Sequence, residues 1–414
     1  MPPLRATWKP GLAAALLALP AATSADTPTW SFKGFGTLGV SGTDTDLIQF
    51  RRDTTQGNGV TRTWGVDPDS RLGLQLDVDF GPSWRAGVQW VARNHAGQFI
   101  EQNLDWAFLR WSPEENLDLR FGRLGFDVFM LSDYRNVGYA YPWMRPPHEF
   151  YASLPTYHFD GMDLSRKIPL GGGHLTAKSF VGYASYTVPS FLFDLDLGAV
   201  IVGGSLGYER GNWRARLGYN YAKTKTDLPI QPLYAALDNP WVNVVWPGAN
   251  TYPGKIAPMN KDLHYFSAGL AYDDGGWLAQ LEASYTDSQV VSFPSVASGY
   301  LSLGRRAGPV TVYTLLGISE TLHSATALPR PWLATPEVDL LWRTVDSLIN
   351  ANGVDEKSVS LGLRWDVYEN IDLKAQWSHY WLGRNGAQLW VEPALSAPTP
   401  GQVDVWSLGV DFVF

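Results

Sequence analysis

Cysteine is absent from the 414-residue chain. That absence excludes thiol nucleophiles, disulfides and Cys-ligated metals, and it suits export into an oxidising compartment, where stray thiols mispair. Charge is scarce as well: Asp, Glu, Lys and Arg make up 17% of the residues, against roughly 25% in a soluble domain. A formal charge of −8 offers nucleic acid no basic face. Long apolar runs are missing too; the most apolar stretch, Phe191 to Gly204, is broken by Asp194 and Asp196. The chain therefore encodes no helix of the roughly 20 apolar residues that a bilayer crossing needs. What it has in abundance is 41 Gly, 19 Trp and 19 Tyr.

The N-terminus reads as a secretory signal peptide. Arg5 and Lys9 are basic, Gly11 to Leu19 is a short apolar run ended by Pro20, and Thr23-Ser24-Ala25 supplies small residues before Asp26. Residues 1–25 are accordingly set apart from a single domain over 26–414. Removing Arg5 and Lys9 moves the formal charge from −8 to −10.

The remainder alternates with a period of two, the mark of strands with one apolar face. Leu72, Leu74, Leu76, Val78 and Phe80 oppose Arg71, Gln75, Asp77 and Asp79; after Gly81-Pro82-Ser83, Trp84, Ala86, Val88, Trp90 and Ala92 oppose Arg85, Gln89 and Arg93. The unit recurs at Trp213–Tyr221, Trp277–Tyr285 and Ser358–Trp365. Sixteen strands are predicted, near 30–41, 71–80, 84–93, 103–111, 117–124, 159–168, 174–184, 198–208, 212–222, 263–273, 277–286, 297–306, 309–317, 357–367, 371–381 and 401–414. Short connections alternate with long ones at 42–70, 125–158, 223–262, 318–356 and 382–400.

A soluble β-sandwich would give the same local alternation. Three features favour a transmembrane barrel instead. The strands, at about ten residues, suit a tilted bilayer crossing. Aromatic residues recur at strand ends (Trp84, Trp111, Tyr208, Trp213, Trp277, Tyr285, Trp381), as interfacial girdles require. Even strand number with short turns at one end and long loops at the other completes the pattern. The fold class is all-β, an antiparallel up-and-down transmembrane β-barrel of about sixteen strands. In the last strand Trp406, Leu408, Val410, Phe412 and Phe414 are apolar at every second residue.

Taken together, these features resemble the Gram-negative porins over the whole mature chain. The resemblance implies an outer-membrane location in contact with lipid, both termini periplasmic, and a homotrimer of water-filled barrels that pass small hydrophilic solutes. It also implies that the barrel-assembly machinery reads the strand Trp406–Phe414, and that the loop 125–158 folds inward. This loop departs from the acidic, Gly-rich constriction of general porins, carrying Phe126, Phe129, Tyr134, Tyr139, Tyr141, Trp143, Phe150, Tyr151 and Tyr157. Pro142, Pro146 and Pro147 stiffen it. A rigid constriction or lid is one reading, and a loop packed on its own barrel or a neighbouring subunit the other.

On the polar face, Arg71, Arg85, Arg93, Arg120, Arg214, Arg216, Arg364 and Lys374 are predicted to point inward, where such groups attract anions. Asp127, Asp133 and Glu149 are the acidic candidates for the opposite wall. Glycines and small residues at 73, 87, 122, 218, 360, 362 and 409 should keep the lumen open. The same charges also suit cross-strand ion pairs, Asp79 with Arg85, Asp118 with Arg110, Arg364 with Asp372 and Asp366 with Lys374. In 318–356, Thr335-Pro336-Glu337 marks a helix start, with Leu341, Val345, Leu348 and Ile349 as its apolar stripe; the helix would cap the pore or cover the rim.

An outer-membrane barrel enzyme, of phospholipase or protease type, and a non-conducting structural barrel are the competing classes. The seven His (95, 148, 158, 174, 264, 323 and 379) are scattered, and none lies in a nucleophile or zinc motif. No catalytic residue, metal or cofactor is predicted.

Overall fold

The computed structural model describes residues 27–97, 102–154, 156–189, 194–290, 293–322, 326–350, 353–391 and 400–414. The leader and His323 lie outside the described residues. Sixteen strands follow in order: β1 (Thr29–Thr43), β2 (Arg71–Asp79), β3 (Trp84–Arg93), β4 (Leu104–Glu114), β5 (Leu117–Gly125), β6 (His158–Leu170), β7 (Gly173–Val188) and β8 (Leu195–Arg210). The second half comprises β9 (Trp213–Thr224), β10 (Asp262–Asp273), β11 (Trp277–Ser288), β12 (Val296–Ala307), β13 (Val310–Thr321), β14 (Val354–Tyr368), β15 (Ile371–Ala387) and β16 (Gln402–Val413).

Each strand pairs antiparallel with its neighbours in sequence, and β1 pairs with β16 to close the barrel. Seven turns of two to four residues join the strands at one end. The long connections lie at the other, and the even strand number puts the start of β1 and the end of β16 at the short-turn end.

Burial runs inside out relative to a soluble protein. Leu217 on the outer face is 61% exposed, whereas Asp411 on the inner face is 1% exposed. Ser360, Ser378 and Ser407 are likewise buried inward, while Leu72, Leu281 and Leu361 face outward. Near the short turns the outer face carries stacked Trp84 and Trp111 (centroids 6.0 Å apart) and Trp277 beneath Arg305.

The helix predicted at Thr335 is present as Pro336–Asn350. It neither enters the lumen nor stands alone: Val345 joins a small core with Leu237, Val242, Trp246, Tyr252 and Ile256. Apart from Trp246, which caps the second, those residues belong to three short helices in the β9–β10 connection, Gln231–Leu237, Pro240–Val245 and Tyr252–Ile256, in a stretch predicted only as a long connection. Each has proline in its first turn (Pro232, Pro240, Pro253), where the missing N–H costs nothing.

Closure makes a direct prediction. Gly34 and Phe414 exchange both backbone hydrogen bonds, at 2.9 Å each, so the next pair, Phe35 and Val413, is the close non-bonded kind with Cα atoms about 4.5 Å apart. In this cysteine-free chain, Phe35→Cys with Val413→Cys should form an intramolecular disulfide. Non-reducing electrophoresis is expected to show near-complete conversion; no conversion would mean that β1 and β16 do not close the barrel in this register.

Candidate constriction site

A sixteen-stranded barrel is too wide for its own side chains to fill. Here the loop 126–157, between β5 and β6, enters the lumen and is tied to wall residues around nearly its whole circumference. Its base closes where Phe126 N–H donates to Tyr157 O at 3.0 Å. Phe126 packs edge-on against Phe180 of β7. Asp127 meets Arg216 of β9 at 2.9 Å and Lys178 of β7 at 3.5 Å, and the Ser205 hydroxyl of β8 donates to it at 3.0 Å. Burial alone would raise the Asp127 carboxyl; Lys178 and Arg216 outweigh it and hold it at about 2.

The loop then crosses to β10 and β11. Ser267 donates to Val128 O, and Met130 N–H donates to Glu282 at 2.8 Å. Glu282 also accepts from the hydroxyls of Tyr151 and Tyr300. Farther on, Arg71 of β2 donates to Asn136 O (2.6 Å) and to the Tyr141 hydroxyl (2.9 Å). Lys374 of β15 donates to the carbonyls of Gly138 and Tyr141 while paired with Asp411 at 2.8 Å. Arg364 of β14 donates to the carbonyl of Tyr139 at 2.6 Å.

Two buried side-chain pairs complete the attachment. Arg145 grips Asp69 through two nitrogens (2.9 and 2.6 Å) and also donates to Ser41 of β1 and Ser407 of β16. Burial opposes the charged form of Asp69, but Arg145 holds its carboxyl below the usual range. A one-turn helix, His148–Tyr151, sets His148 Nδ1 2.9 Å from Glu356 of β14, whose other oxygen accepts from Trp390. Beside it, burial and then the Glu356 carboxylate push the Glu149 carboxyl up to about 7. On the far side, the Tyr157 ring lies between Arg93 (3.8 Å) and Arg135 (3.3 Å), and its hydroxyl donates to Asp53.

The eleven charged residues singled out from the sequence therefore meet different fates. Arg71, Arg364 and Lys374 point inward but bind loop carbonyls. Arg93 pairs with Asp105 at 2.9 Å, and Arg216 with the loop's Asp127. Glu149 is buried against Gly317 of β13. Arg85 pairs with Asp79, Arg120 pairs with Asp163, and all four lie toward the short-turn end of the lumen. Arg214 and Asp133 are exposed. Arg364 pairs with Asp372 (3.1 Å) and Asp366 (2.7 Å). The expected partner of Asp366, Lys374, instead takes Asp411, because the inserted loop and β16 offer it a fully buried site. The glycines also act differently from expectation: Gly362 seats the Tyr313 ring, and Gly409 with Gly39 seats the methyl of Met144. Small residues here admit large neighbours rather than leaving open space.

Register brings together a group that alternation alone does not assemble. Asp79, Arg85, Arg110, Arg120 and Asp163 form one inward-facing row across β2 to β6. Three arginines thus stand directly opposite one another on adjacent strands whose backbones are about 4.8 Å apart. Their side chains keep 40%, 30% and 23% exposure, unlike the buried arginines around the loop. Arg110, expected from the sequence as the cross-strand partner of Asp118, lies 3.8 Å from it.

Breaking a buried pair on one side typically costs ~3–5 kcal/mol; Arg145→Ala should therefore lower the unfolding free energy, read from denaturant titration, by that amount, and a change under about 1 kcal/mol would remove Arg145 as an anchor. Glu149 is neutral when packed, so its contribution is fully present below its unfolded value near 4.5 and is lost as pH rises through about 7. Wild-type stability should fall between pH 5 and pH 8, and Glu149→Gln should flatten that fall; an unchanged slope in the variant would assign it to other groups.

The sequence profile described as Gram-negative porin matches residues 12–391. Among curated protein sequences none matches the chain. In fold it is similar to an anion-selective porin from Comamonas acidovorans, at 14% identity and TM-score 0.53, covering 94% of this chain and 100% of that one. OmpT of Vibrio cholerae (in-vitro folded) is similar at 11% identity and TM-score 0.53, covering 95% and 100%. OmpF of Salmonella typhi is similar at 11% identity and TM-score 0.52, covering 93% and 97%. With the profile spanning most of its length and the closed sixteen-stranded barrel in place, the chain belongs to the Gram-negative porins and is an outer-membrane channel for the diffusion of solutes.

Proposed function

We propose that the channel prefers anions and that solute passes along the β2–β6 side of the lumen, between the loop and the arginine row. The observation that carries this reading is the row itself. Like charges directly opposite one another on neighbouring strands are destabilising, and three in succession are tolerated only with Asp79, Asp118 and Asp163 around them. A sequence that keeps such a cost at a solvent-exposed site is using it. Farther up the lumen, Arg51, Arg52 and Arg135 are buried and bonded to backbone carbonyls, with no carboxylate within ion-pair distance among the described residues. Their excess positive potential draws anions toward the row.

The rest of the assignment follows the same reading. Residues 1–25 are the export signal and are removed. The short-turn end and both termini face the periplasm, and the assembly machinery reads Trp406–Phe414. Three copies associate, a reading supported by the trimer form of the structurally similar Vibrio cholerae OmpT. The porin profile and the closed barrel support a channel rather than an enzyme; among the described residues the bonded histidines face Asn103, Glu356, Tyr219 and Asp404, and none pairs with a serine hydroxyl. A triad needs that pair.

In a planar bilayer with a tenfold KCl gradient, the reversal potential should take the sign of chloride permeation. Arg110→Gln, which removes the central charge of the row, should move it toward zero by weakening the field in the passage. A potassium-selective wild type, or an Arg110→Gln channel with unaltered selectivity, would overturn the proposal.

A further inference from the structure

The outer wall of a membrane barrel is ordinarily studded with large apolar side chains. On β6 to β9 Met162, Val181, Val202 and Leu217 keep to that rule, but one patch across β7 and β8 departs from it. One outward register row reads Leu164, Ser179, Gly204, Tyr219, with Ala177 beside Ser179 in the row toward the short turns. Small residues on the two central strands thus lie between Leu164 on one side and Tyr219 on the other. The result is an open outward groove of about 530 Å³ that also takes in Arg166.

Arg166 lies at the short-turn end of this groove, level with the β4–β5 turn, since Leu117 pairs with Arg166 and with Glu114. The Arg166 guanidinium is 3.5 Å from the Glu114 carboxylate, and both side chains are more than half exposed. An exposed pair of this kind contributes little to stability, so either partner can exchange its contact for a ligand group. A cation and an anion side by side on the lipid face, at the mouth of an apolar trough, match a headgroup that carries both charges.

We propose that this groove is a binding site for one zwitterionic, ethanolamine-type phospholipid of the leaflet at the short-turn end. An acyl chain lies over Ser179 and Gly204, the phosphate meets Arg166, and the headgroup ammonium donates to Glu114. The exposed Arg166–Glu114 pair at its mouth does not match an apolar surface of a second copy, and Glu114 disfavours a purely anionic lipid. The assignment is independent of which ions the lumen passes.

The full-length protein, purified in detergent, would be titrated with phosphatidylethanolamine, phosphatidylglycerol and phosphatidylcholine of identical acyl chains and read by native mass spectrometry. The ethanolamine lipid is expected to bind about tenfold more tightly than the glycerol lipid, a difference of about 1.4 kcal/mol. Choline, unable to donate a hydrogen bond to Glu114, should fall between them. Ser179→Leu, which fills the trough, should abolish the bound lipid, and Glu114→Gln should erase the preference for ethanolamine over glycerol. Arg166→Gln, at an exposed rim position that leaves the wall unaltered, should weaken every lipid about tenfold. Equal binding of the three lipids, or undiminished binding in Ser179→Leu, would overturn the proposal. Loss of oligomer in Ser179→Leu without loss of lipid would instead make the groove a contact between copies. Retained ion selectivity in the same variants keeps this result separate from the channel reading.

Discussion

Hydrocarbon offers no partner for a backbone N–H or C=O, so a strand-built membrane protein must close its ladder on itself. The pairing of β1 with β16, ending where Gly34 and Phe414 exchange hydrogen bonds, meets that demand. Closure with sixteen strands sets the next problem. The cylinder is too wide to be filled from its walls, and an unfilled lumen would leave the chain a simple hole. The 126–157 loop answers it by entering the lumen, and the placement of nearly every inner charge follows from where that loop runs.

The attachment of the loop is polar rather than greasy. Its aromatic residues do form a core, Phe129, Phe150, Tyr151 and Trp143 against Tyr265, Tyr300 and Tyr313 of the wall. Position, however, is fixed by Asp127 with Arg216, Met130 with Glu282, Arg145 with Asp69 and His148 with Glu356. Apolar contacts tolerate sliding, whereas directional charge-assisted bonds do not. These anchors ring the lumen, while the arginine row of β3 to β5 lies toward the short turns and keeps its partial solvent exposure. Geometry thus ties a closed ladder, a fixed loop and an off-centre charged passage into one chain of causes.

Much of this was legible in the sequence because a membrane strand imposes a strict period of two. Leu72 to Phe80 and Trp406 to Phe414 announce their faces residue by residue, and Thr335-Pro336 announces a helix. Alternation shows which side chains point inward, but not which of them meet water. Arg71 and Lys374 point inward as expected, yet loop carbonyls some 65 and 236 positions away in the chain consume them. The arginine row stayed hidden for a different reason. A register shift between Trp111 and Glu114 moves the β4–β5 pairing, and only then does Arg110 face Arg120. No local pattern encodes that irregularity. The helices at 231–256 did leave a signal, proline in each first turn, but their stability comes from packing with Val345 of a distant connection.

The central claim is that the 126–157 loop, rather than the barrel wall, sets the width of the channel. Single-channel conductance in a planar bilayer tests it most directly, comparing the wild type with a variant in which residues 129–150 are replaced by a short Gly-Ser linker. Heat-modifiable migration in electrophoresis confirms that the barrel has formed. The account predicts small, ohmic steps for the wild type and several-fold larger ones for the variant. Equal conductance in two correctly folded barrels would contradict it.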